Sequence, residues 1–237
     1  MKRPQLFLIH FAGGNHMSYN FLIPFLKDFD VVPLELPGRG RRFNEKLLND
    51  FNLASEDIYT LLRNKLVTDN FFIYGHSMGA LIGLRVSKML ENDGISPKCL
   101  LVSGNAGPSI KVNKKIHTLS RTDFFYELAA LGGTSNAVLE NTEFMNFFEP
   151  ILRADFKMIE ERSPLMEQPI LTPICAIMGG KEEQVENIFN WNKFTYTRFE
   201  YKVLEGGHFF IKDYPSDLAE IIKSFYYRSV NIFKNAK

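Results

Sequence analysis

The chain has 237 residues, of which 45% are hydrophobic, and a formal net charge of +1. This composition predicts a globular protein of one domain, residues 1–237, with a large core and an insertion. The near-neutral charge excludes a strong general attraction for nucleic acid, and no apolar run is long enough for a signal peptide or a membrane span, so we expect a cytoplasmic protein.

Strand-like and helix-like segments alternate along the chain. Strands are predicted at residues 6–10, 31–34, 71–74, 99–103, 174–178 and 199–204, and helices at 19–26, 54–67, 80–92 and 216–233. Because the strands are apolar on both faces, this alternation predicts an α/β fold with a mostly parallel central sheet and helices on both faces. The arrangement is that of an α/β-hydrolase.

The segment from about residue 111 to 164 interrupts this alternation and contains no convincing strand. It carries apolar residues at helical spacing, namely Phe124, Phe125, Leu128, Leu131, Phe144, Phe147, Phe148 and Phe156. Its position after the fourth strand predicts a helical lid over the site. The alternative is that these residues form only the core of an ordinary helical subdomain.

Residues 75–79 have the sequence Gly-His-Ser-Met-Gly and lie between the third strand and a helix. A G-x-S-x-G in this context is typical of a nucleophile elbow, which exposes Ser77 at the start of the helix. Glycine is needed at Gly75 and Gly79 because side chains there would collide with the neighbouring strand and helix. The Met78 N–H would then face an oxyanion. Ser77 is the predicted nucleophile.

A serine nucleophile needs a base, and the chain offers five histidines. In an α/β-hydrolase the catalytic histidine follows the last strand, which favours His208. His76 is expected to be a packing or orienting residue, and His10 is expected to bond the loop after the first strand. His16 and His117 are expected at the surface.

The second oxyanion donor is expected in the loop after the first strand. Residues 10–14 have the sequence His-Phe-Ala-Gly-Gly, and the two glycines let the backbone approach a substrate closely. The candidate donor is the N–H of Ala12. The alternative is that Gly13 and Gly14 only turn the chain.

Five motifs occur in order along nearly the whole chain. They are residues 10–14, 35–41 (Glu-Leu-Pro-Gly-Arg-Gly-Arg), 75–79, 152–155 (Leu-Arg-Ala-Asp) and 206–210 (Gly-Gly-His-Phe-Phe). In this order they resemble type II thioesterases, the stand-alone editing enzymes of nonribosomal peptide and polyketide synthases. The resemblance implies hydrolysis of acyl or aminoacyl thioesters on the phosphopantetheine arm of acyl or peptidyl carrier proteins. It implies no metal and no cofactor of the enzyme itself, and commonly a monomer.

The chain departs from this family at the acid of the triad. Relatives usually have an aspartate after the fifth strand, where residues 179–183 here have the sequence Gly-Gly-Lys-Glu-Glu. Aligned on the glycines, Glu182 falls on the aspartate's position, and a glutamate can hold the imidazole with one more methylene. Glu183, or no catalytic carboxylate at all, is the alternative.

Other functions stay open at this point. A carboxylesterase acting on small oxygen esters would use the same triad. A lyase or acyltransferase would keep Ser77 and His208, and a catalytically weak carrier-binding protein would follow from loss of the acid.

Several charged residues are candidates for contact with a carrier protein or its phosphate, with solvated surface charge as the alternative. They are Arg39, Arg41 and Arg42 after the second strand, and Lys111, Lys114 and Lys115 at the start of the lid. Arg153 and Asp155 lie in the fourth motif, where the resemblance implies a structural ion pair. Cys99 and Cys175 are expected to be buried free thiols.

Overall fold

The computed structural model describes residues 2–110, 114–133, 141–163 and 167–235, with backbone only for 232–235. Six strands form one sheet in the order β2-β1-β3-β4-β5-β6, and every neighbouring pair is parallel. Their bounds are β1 Gln5–Ile9, β2 Asp30–Leu34, β3 Phe71–His76, β4 Leu100–Ser103, β5 Ile174–Gly179 and β6 Phe199–Leu204. The predicted parallel sheet is confirmed.

Helices cover both faces of this sheet. Their bounds are α1 Phe51–Lys65, α2 Met78–Asn92, α3 Arg121–Leu131, α4 Thr142–Glu161, the short α5 Phe210–Asp213, and α6 Pro215–Asn235. Alternate residues of a strand point to opposite faces. Ile73 therefore joins the core under α1 and α2, whereas its neighbour Phe72 joins the core under α6. This two-sided burial explains why the strands are apolar throughout.

The predicted helix at residues 19–26 is wrong. Only a 3₁₀ turn, Ile23–Phe25, forms there. Pro24 has no N–H, and its ring conflicts with the carbonyl four residues earlier, which disfavours an α-helix through these residues. Tyr19 turns into the core instead, where its hydroxyl donates to the Ile9 carbonyl at 2.9 Å.

The segment between β4 and β5 contains α3, α4 and a 3₁₀ turn at Ile116–Thr118, so the expected helices form there. These helices share a small core of their own, formed by Ile116, Phe124, Leu128, Met145 and Leu152. One side of α4 also reaches the loop after β1. A Cβ on Gly13 would lie 2.6 Å from Leu152 Cδ2 and 2.9 Å from Phe148 Cζ. α4 therefore packs directly on the loop at the carboxyl end of β1.

Both cysteines are buried and free, as expected. Burial raises the pKa of the Cys175 thiol to about 12 and raises the pKa of Cys99 well above its usual value. Both thiols are therefore protonated at neutral pH. Across the described ranges, no helix has the length and apolar character needed to cross a membrane.

Candidate active site

Ser77 lies between β3 and α2 in a strained backbone conformation. Its φ of 56° is the only positive value for a non-glycine residue among those described. A Cβ on Gly75 would lie 2.1 Å from the Gly79 carbonyl oxygen, and a Cβ on Gly79 would lie 2.2 Å from that of Ile9. The predicted steric reason for both glycines is confirmed. The turn places Ser77, partly exposed, at the N-terminus of α2.

Ser77, His208 and Glu182 form a continuous hydrogen-bonded line. His208 Nε2 lies 3.1 Å from Ser77 Oγ, and His208 Nδ1 lies 2.7 Å from Glu182 Oε2. His208 follows β6 and Glu182 follows β5, so both come from loops at the carboxyl edge of the sheet, beside the elbow. The geometry suits a nucleophile, a base and an acid that orients the base.

Glu182 is held at both oxygens. Oε1 accepts the N–H of Gly179 at 2.8 Å, while Oε2 faces the imidazole of His208. Its side chain is only 8% exposed. Glu183 is exposed, and its side chain has no hydrogen-bond partner in the described part of the chain. The geometry therefore favours Glu182 over Glu183 as the acid.

Two backbone N–H groups remain available for an oxyanion. Met78 is the first residue of α2, where an amide has no acceptor within the helix. The Ala12 N–H has no acceptor among the residues described. The Phe11 carbonyl, in the same peptide unit, accepts from Gly14 N–H and from His10 Nδ1, both at 2.8 Å. Because C=O and N–H point in opposite directions in a trans peptide, these bonds set the direction of the Ala12 N–H.

His10 lies under this loop as a neutral imidazole. Burial lowers its pKa to about 4, and the positive charge of Arg39 acts in the same direction. Nδ1–H donates to Phe11, and Nε2 accepts the N–H of Leu36 at 3.3 Å. The expected bond between His10 and the loop is confirmed.

His76 is fully buried beside His208. Its Nδ1 lies 2.8 Å from Ser103 Oγ, which in turn lies 2.7 Å from the Tyr74 hydroxyl. Burial lowers the pKa of His76 well below its usual value, and the neighbouring His208 lowers it further. A Cβ on Gly104 would lie 2.2 Å from His76 Cε1, so glycine is required there. The expected packing role of His76 is confirmed.

The expectation that His16 and His117 are generic surface residues is wrong. Each pairs with a buried glutamate: His16 Nδ1 lies 2.8 Å from Glu35 Oε1, and the His117 ring contacts Glu160. Burial acts to raise the pKa of Glu35, but hydrogen bonds from His16 and from the Arg41 N–H outweigh it and lower that pKa. Both histidines thus fix loops in place.

The three arginines after β2 have different environments. Arg39 is buried and pairs with Asp155 through both Nη atoms, at 2.5 and 2.8 Å, so the expectation that it contacts a carrier protein is wrong. Arg42 bonds two carboxylates, those of Glu45 and Asp57. Arg41 is exposed, and its side chain forms no ion pair with a described residue. Arg41 is the one that remains available to a partner.

Arg153 and Asp155 each form a structural ion pair, as expected for this motif, but not with each other, because residues two apart on a helix do not face each other. Arg153 pairs with Glu149, one turn earlier, at 2.8 Å. Asp155 faces the opposite way, toward Arg39 and the N–H of Gly13. Sequence reasoning missed this contact, although an aspartate three residues after Leu152 on an apolar helix face was a signal for it.

The lysines at the start of the lid offer fewer contacts than expected. Lys111 lies outside the described residues. Lys114 pairs with Glu127, and Lys115 is exposed. Within the part of the chain that the structure describes, no cluster of three or more His, Cys, Asp or Glu side chains could hold a metal ion.

The family model for the thioesterase domain matches residues 4–226. The chain belongs to the thioesterase family. Two curated relatives are each similar over 92% of this chain. Linear gramicidin dehydrogenase LgrE of Brevibacillus parabrevis is 31% identical, and the match covers 86% of its length. Gramicidin S biosynthesis protein GrsT of Aneurinibacillus migulanus is 30% identical, and the match covers 87% of its length. Among solved structures, the type II thioesterase BorB from the borrelidin biosynthetic cluster has a TM-score of 0.85 and 28% identity, with 94% of this chain and 92% of that chain covered.

The matched region of this thioesterase includes every part of the site described above. Ser77, Glu182 and His208 all fall inside residues 4–226, together with α3 and α4. The family and the geometry therefore point to the same edge of the sheet.

Proposed function

We propose that this thioesterase hydrolyses acyl or aminoacyl thioesters on the phosphopantetheine arm of acyl or peptidyl carrier proteins, as an editing enzyme of nonribosomal peptide or polyketide biosynthesis. The observation that carries the proposal is the pair of hydrogen bonds that connect Ser77 to His208 and His208 to Glu182. They occur in a chain that the thioesterase family model matches over residues 4–226. The names of GrsT and BorB, which refer to biosynthesis of gramicidin S and borrelidin, support this setting.

In the first step, Ser77 Oγ attacks the carbonyl carbon of the thioester and His208 Nε2 accepts its proton. Glu182 holds the tautomer with Nδ1–H and stabilises the imidazolium. The N–H groups of Ala12 and Met78 stabilise the oxyanion. The C–S bond then breaks, the proton on His208 passes to the departing thiolate, and the acyl group remains on Ser77.

In the second step, water attacks the acyl-serine and gives its proton to His208. The tetrahedral intermediate collapses, the proton passes from His208 to Ser77 Oγ, and the free acid leaves. The sum is one thioester and one water converted to one acid and one thiol, and the enzyme returns to its starting state.

The dehydrogenase name of LgrE does not carry over to this chain. A dinucleotide site of the Rossmann type needs a G-x-G-x-x-G turn between a strand and a helix. After β1, residues 10–15 have the sequence His-Phe-Ala-Gly-Gly-Asn, and turns follow, with no α-helix before α1. Nothing in this loop supports binding of a nicotinamide cofactor.

An exposed aromatic patch near the site is where we place the carrier protein. Phe43 in the loop after β2 and Phe147 of α4 are about half exposed, and their ring centroids are 5.2 Å apart. Phe144, also exposed, contacts Phe148, which packs on Gly13. The patch thus continues from the surface to the loop that carries Ala12. Exposed aromatic surface of this kind is typical of a protein interaction site.

Charge supports the same surface. Arg41 lies two residues before Phe43 and has no acidic partner among the described side chains, so it can meet an acidic carrier or the phosphate of its arm.

The activity is tested with a carrier protein that bears an acetyl group on its phosphopantetheine arm. Intact-protein mass spectrometry follows the loss of the acetyl group for the native chain and for Ser77→Ala. We expect turnover by the native chain and none by the variant. A carboxylesterase would instead cleave p-nitrophenyl acetate and leave the acetyl-carrier intact, and a carrier-binding protein would bind without turnover. Either result contradicts the proposal.

The docking surface is tested with Arg41→Glu. Loss of one favourable charge contact of about 1 kcal/mol raises the KM for the acyl-carrier about 5-fold. The effect on acyl-pantetheine, which lacks the carrier, is expected to be smaller. Lys202→Glu is the matched control, because Lys202 is exposed on β6, at the opposite edge of the sheet from β2. Equal effects of the two charge reversals would contradict this surface.

A further inference from the structure

One carboxylate joins three segments that are far apart in the chain. Asp155 Oδ2 accepts the N–H of Gly13 at 2.8 Å and Arg39 Nη1 at 2.5 Å, and Oδ1 accepts Arg39 Nη2 at 2.8 Å. The side chains of Asp155 and Arg39 are 0% and 3% exposed. Gly13 lies 142 positions from Asp155, and Arg39 lies 116 positions away. α4 is therefore bonded to the loop after β1 by a hydrogen bond and to the loop after β2 by a buried ion pair.

This bond acts on the residue that carries the proposed oxyanion donor. The Gly13 N–H belongs to the peptide unit after Ala12, so Asp155 fixes the plane of that unit. The peptide unit before Ala12 is fixed through the Phe11 carbonyl, which is bonded by Gly14 and His10. With both flanking planes fixed, the φ and ψ of Ala12 are fixed as well.

Packing reinforces the hydrogen bond. Leu152 and Phe148 of α4 occupy the space where a Gly13 side chain would project, so the helix meets the loop by contact as well as by charge. Gly13 has a φ of +73°, which favours glycine, and α4 leaves no room for a Cβ there. α4 therefore restrains the loop at Gly13 by packing as well as by the hydrogen bond to Asp155.

We propose that Asp155 is a positioning residue that holds the Ala12 N–H where the oxyanion forms, so that stabilisation of the transition state depends on the seating of α4 against the loop. This inference rests on the proposed function, since it concerns the same site. A donor aimed at the oxyanion acts on the transition state more than on the bound substrate. Disturbing it lowers kcat and leaves KM nearly unchanged.

The choice of variants follows from burial. Removal of one partner of a buried ion pair leaves an uncompensated charge, whereas apolar replacement of both partners is tolerated. The first variant is therefore the double change Arg39→Met with Asp155→Leu. The second is Asp155→Glu, which keeps the charge and displaces the carboxylate by one methylene. Arg153→Gln is the matched control, because it removes an ion pair from the same helix, and Arg153 bonds no residue of the loop at 10–14.

Two quantities are measured for each folded variant: kcat and KM on p-nitrophenyl butyrate, and the inhibition constant Ki of a trifluoromethyl ketone, which adds to Ser77 and forms an oxyanion. We expect kcat to fall about 10- to 100-fold with KM within about 3-fold. The Ki should rise by the same factor as kcat/KM falls, and Arg153→Gln should stay within about 2-fold of the native values.

The Ki separates positioning from a purely structural role. A structural defect that inactivates a fraction of the molecules lowers the apparent kcat and leaves Ki unchanged. A folded variant whose Ki and kcat both stay within about 2-fold of the native protein would overturn the inference, because misplacement of a donor is expected to cost far more. If neither variant folds, the inference is tested on the native protein. The ketone should slow hydrogen exchange of the Gly13 amide, and Ser77→Ala is the unreactive control. An unchanged exchange rate would overturn the inference.

The ester substrate keeps this test separate from the proposed function. Both acyl donors use Ser77 and the oxyanion site, but only the thioester requires a carrier protein. A native chain that cleaves the ester but does not hydrolyse the acetyl-carrier would contradict the proposed function. The comparison of variants on the ester would still measure the role of Asp155.

Discussion

His76 and His208 pack their imidazole rings together, with centroids 4.9 Å apart and planes inclined by 43°. His76 is held from behind by Ser103 Oγ at 2.8 Å. Burial lowers the pKa of His76 well below its usual value, so His76 adds no positive charge beside His208. Part of the environment of the proposed base is therefore set by two buried residues, His76 and Ser103.

The Ser103→Ala variant should lower the free energy of unfolding by about 1–3 kcal/mol, because it leaves the Tyr74 hydroxyl and His76 Nδ1 buried without a partner. Urea unfolding measures this loss. Ser87→Ala is the control, since Ser87 is equally buried but its Oγ only donates to the Gly83 carbonyl within α2. A loss as large for Ser87→Ala would show that cavity formation alone explains the effect.

Glu182→Gln should lower kcat/KM about 10³- to 10⁴-fold, because an amide no longer stabilises the imidazolium or fixes its tautomer. Glu182→Asp should retain part of the activity, since its carboxylate is kept but is shorter by one methylene. Hydrolysis of the acetyl-carrier measures both. Glu183→Gln is the control and should behave like the native chain. An equal loss with Glu183→Gln would contradict the assignment of Glu182 as the acid.

Stability should decrease as the pH falls from about 6.5 toward 4. His10 has a pKa of about 4 in the folded chain and about 6.5 when unfolded, so in this window the unfolded chain binds the extra proton. The loss amounts to about 3 kcal/mol from His10, and His76 acts in the same direction. Urea unfolding at pH 7.5 and 4.5 measures it. His10→Gln should reduce the difference, and an unchanged difference would contradict the role of His10.

Both cysteines should resist thiol reagents in the native protein. Cys99 and Cys175 are buried, and their raised pKa values keep them in the unreactive thiol form. Ellman's reagent at pH 8 should label neither residue before denaturation and both after it. Rapid labelling of the folded chain would show that one of the two sites opens to solvent.

Local patterns predicted much of this protein, because strands that are apolar on both faces and a G-x-S-x-G turn are decided by neighbouring residues. Ser77 and His208 followed from their order along an α/β-hydrolase chain, and Glu182 was proposed because it aligns with the aspartate of the thioesterases that this chain resembles. The burial of Arg39 and its pairing with Asp155 could not be predicted from local patterns. Arg39 differs from Arg41 only through a contact with Asp155, 116 positions away, that no local pattern encodes.

The residues of the site lie between Ala12 and His208 in the sequence. They are therefore synthesised one after another, and the site cannot be complete before His208 has been added. The strands β1 to β3 and the elbow at Ser77 leave the ribosome first, and domains of this size begin to fold as they are made. Asp155, Glu182 and His208 follow much later. In a nascent thioesterase the nucleophile is therefore synthesised well before the base and the acid that would activate it.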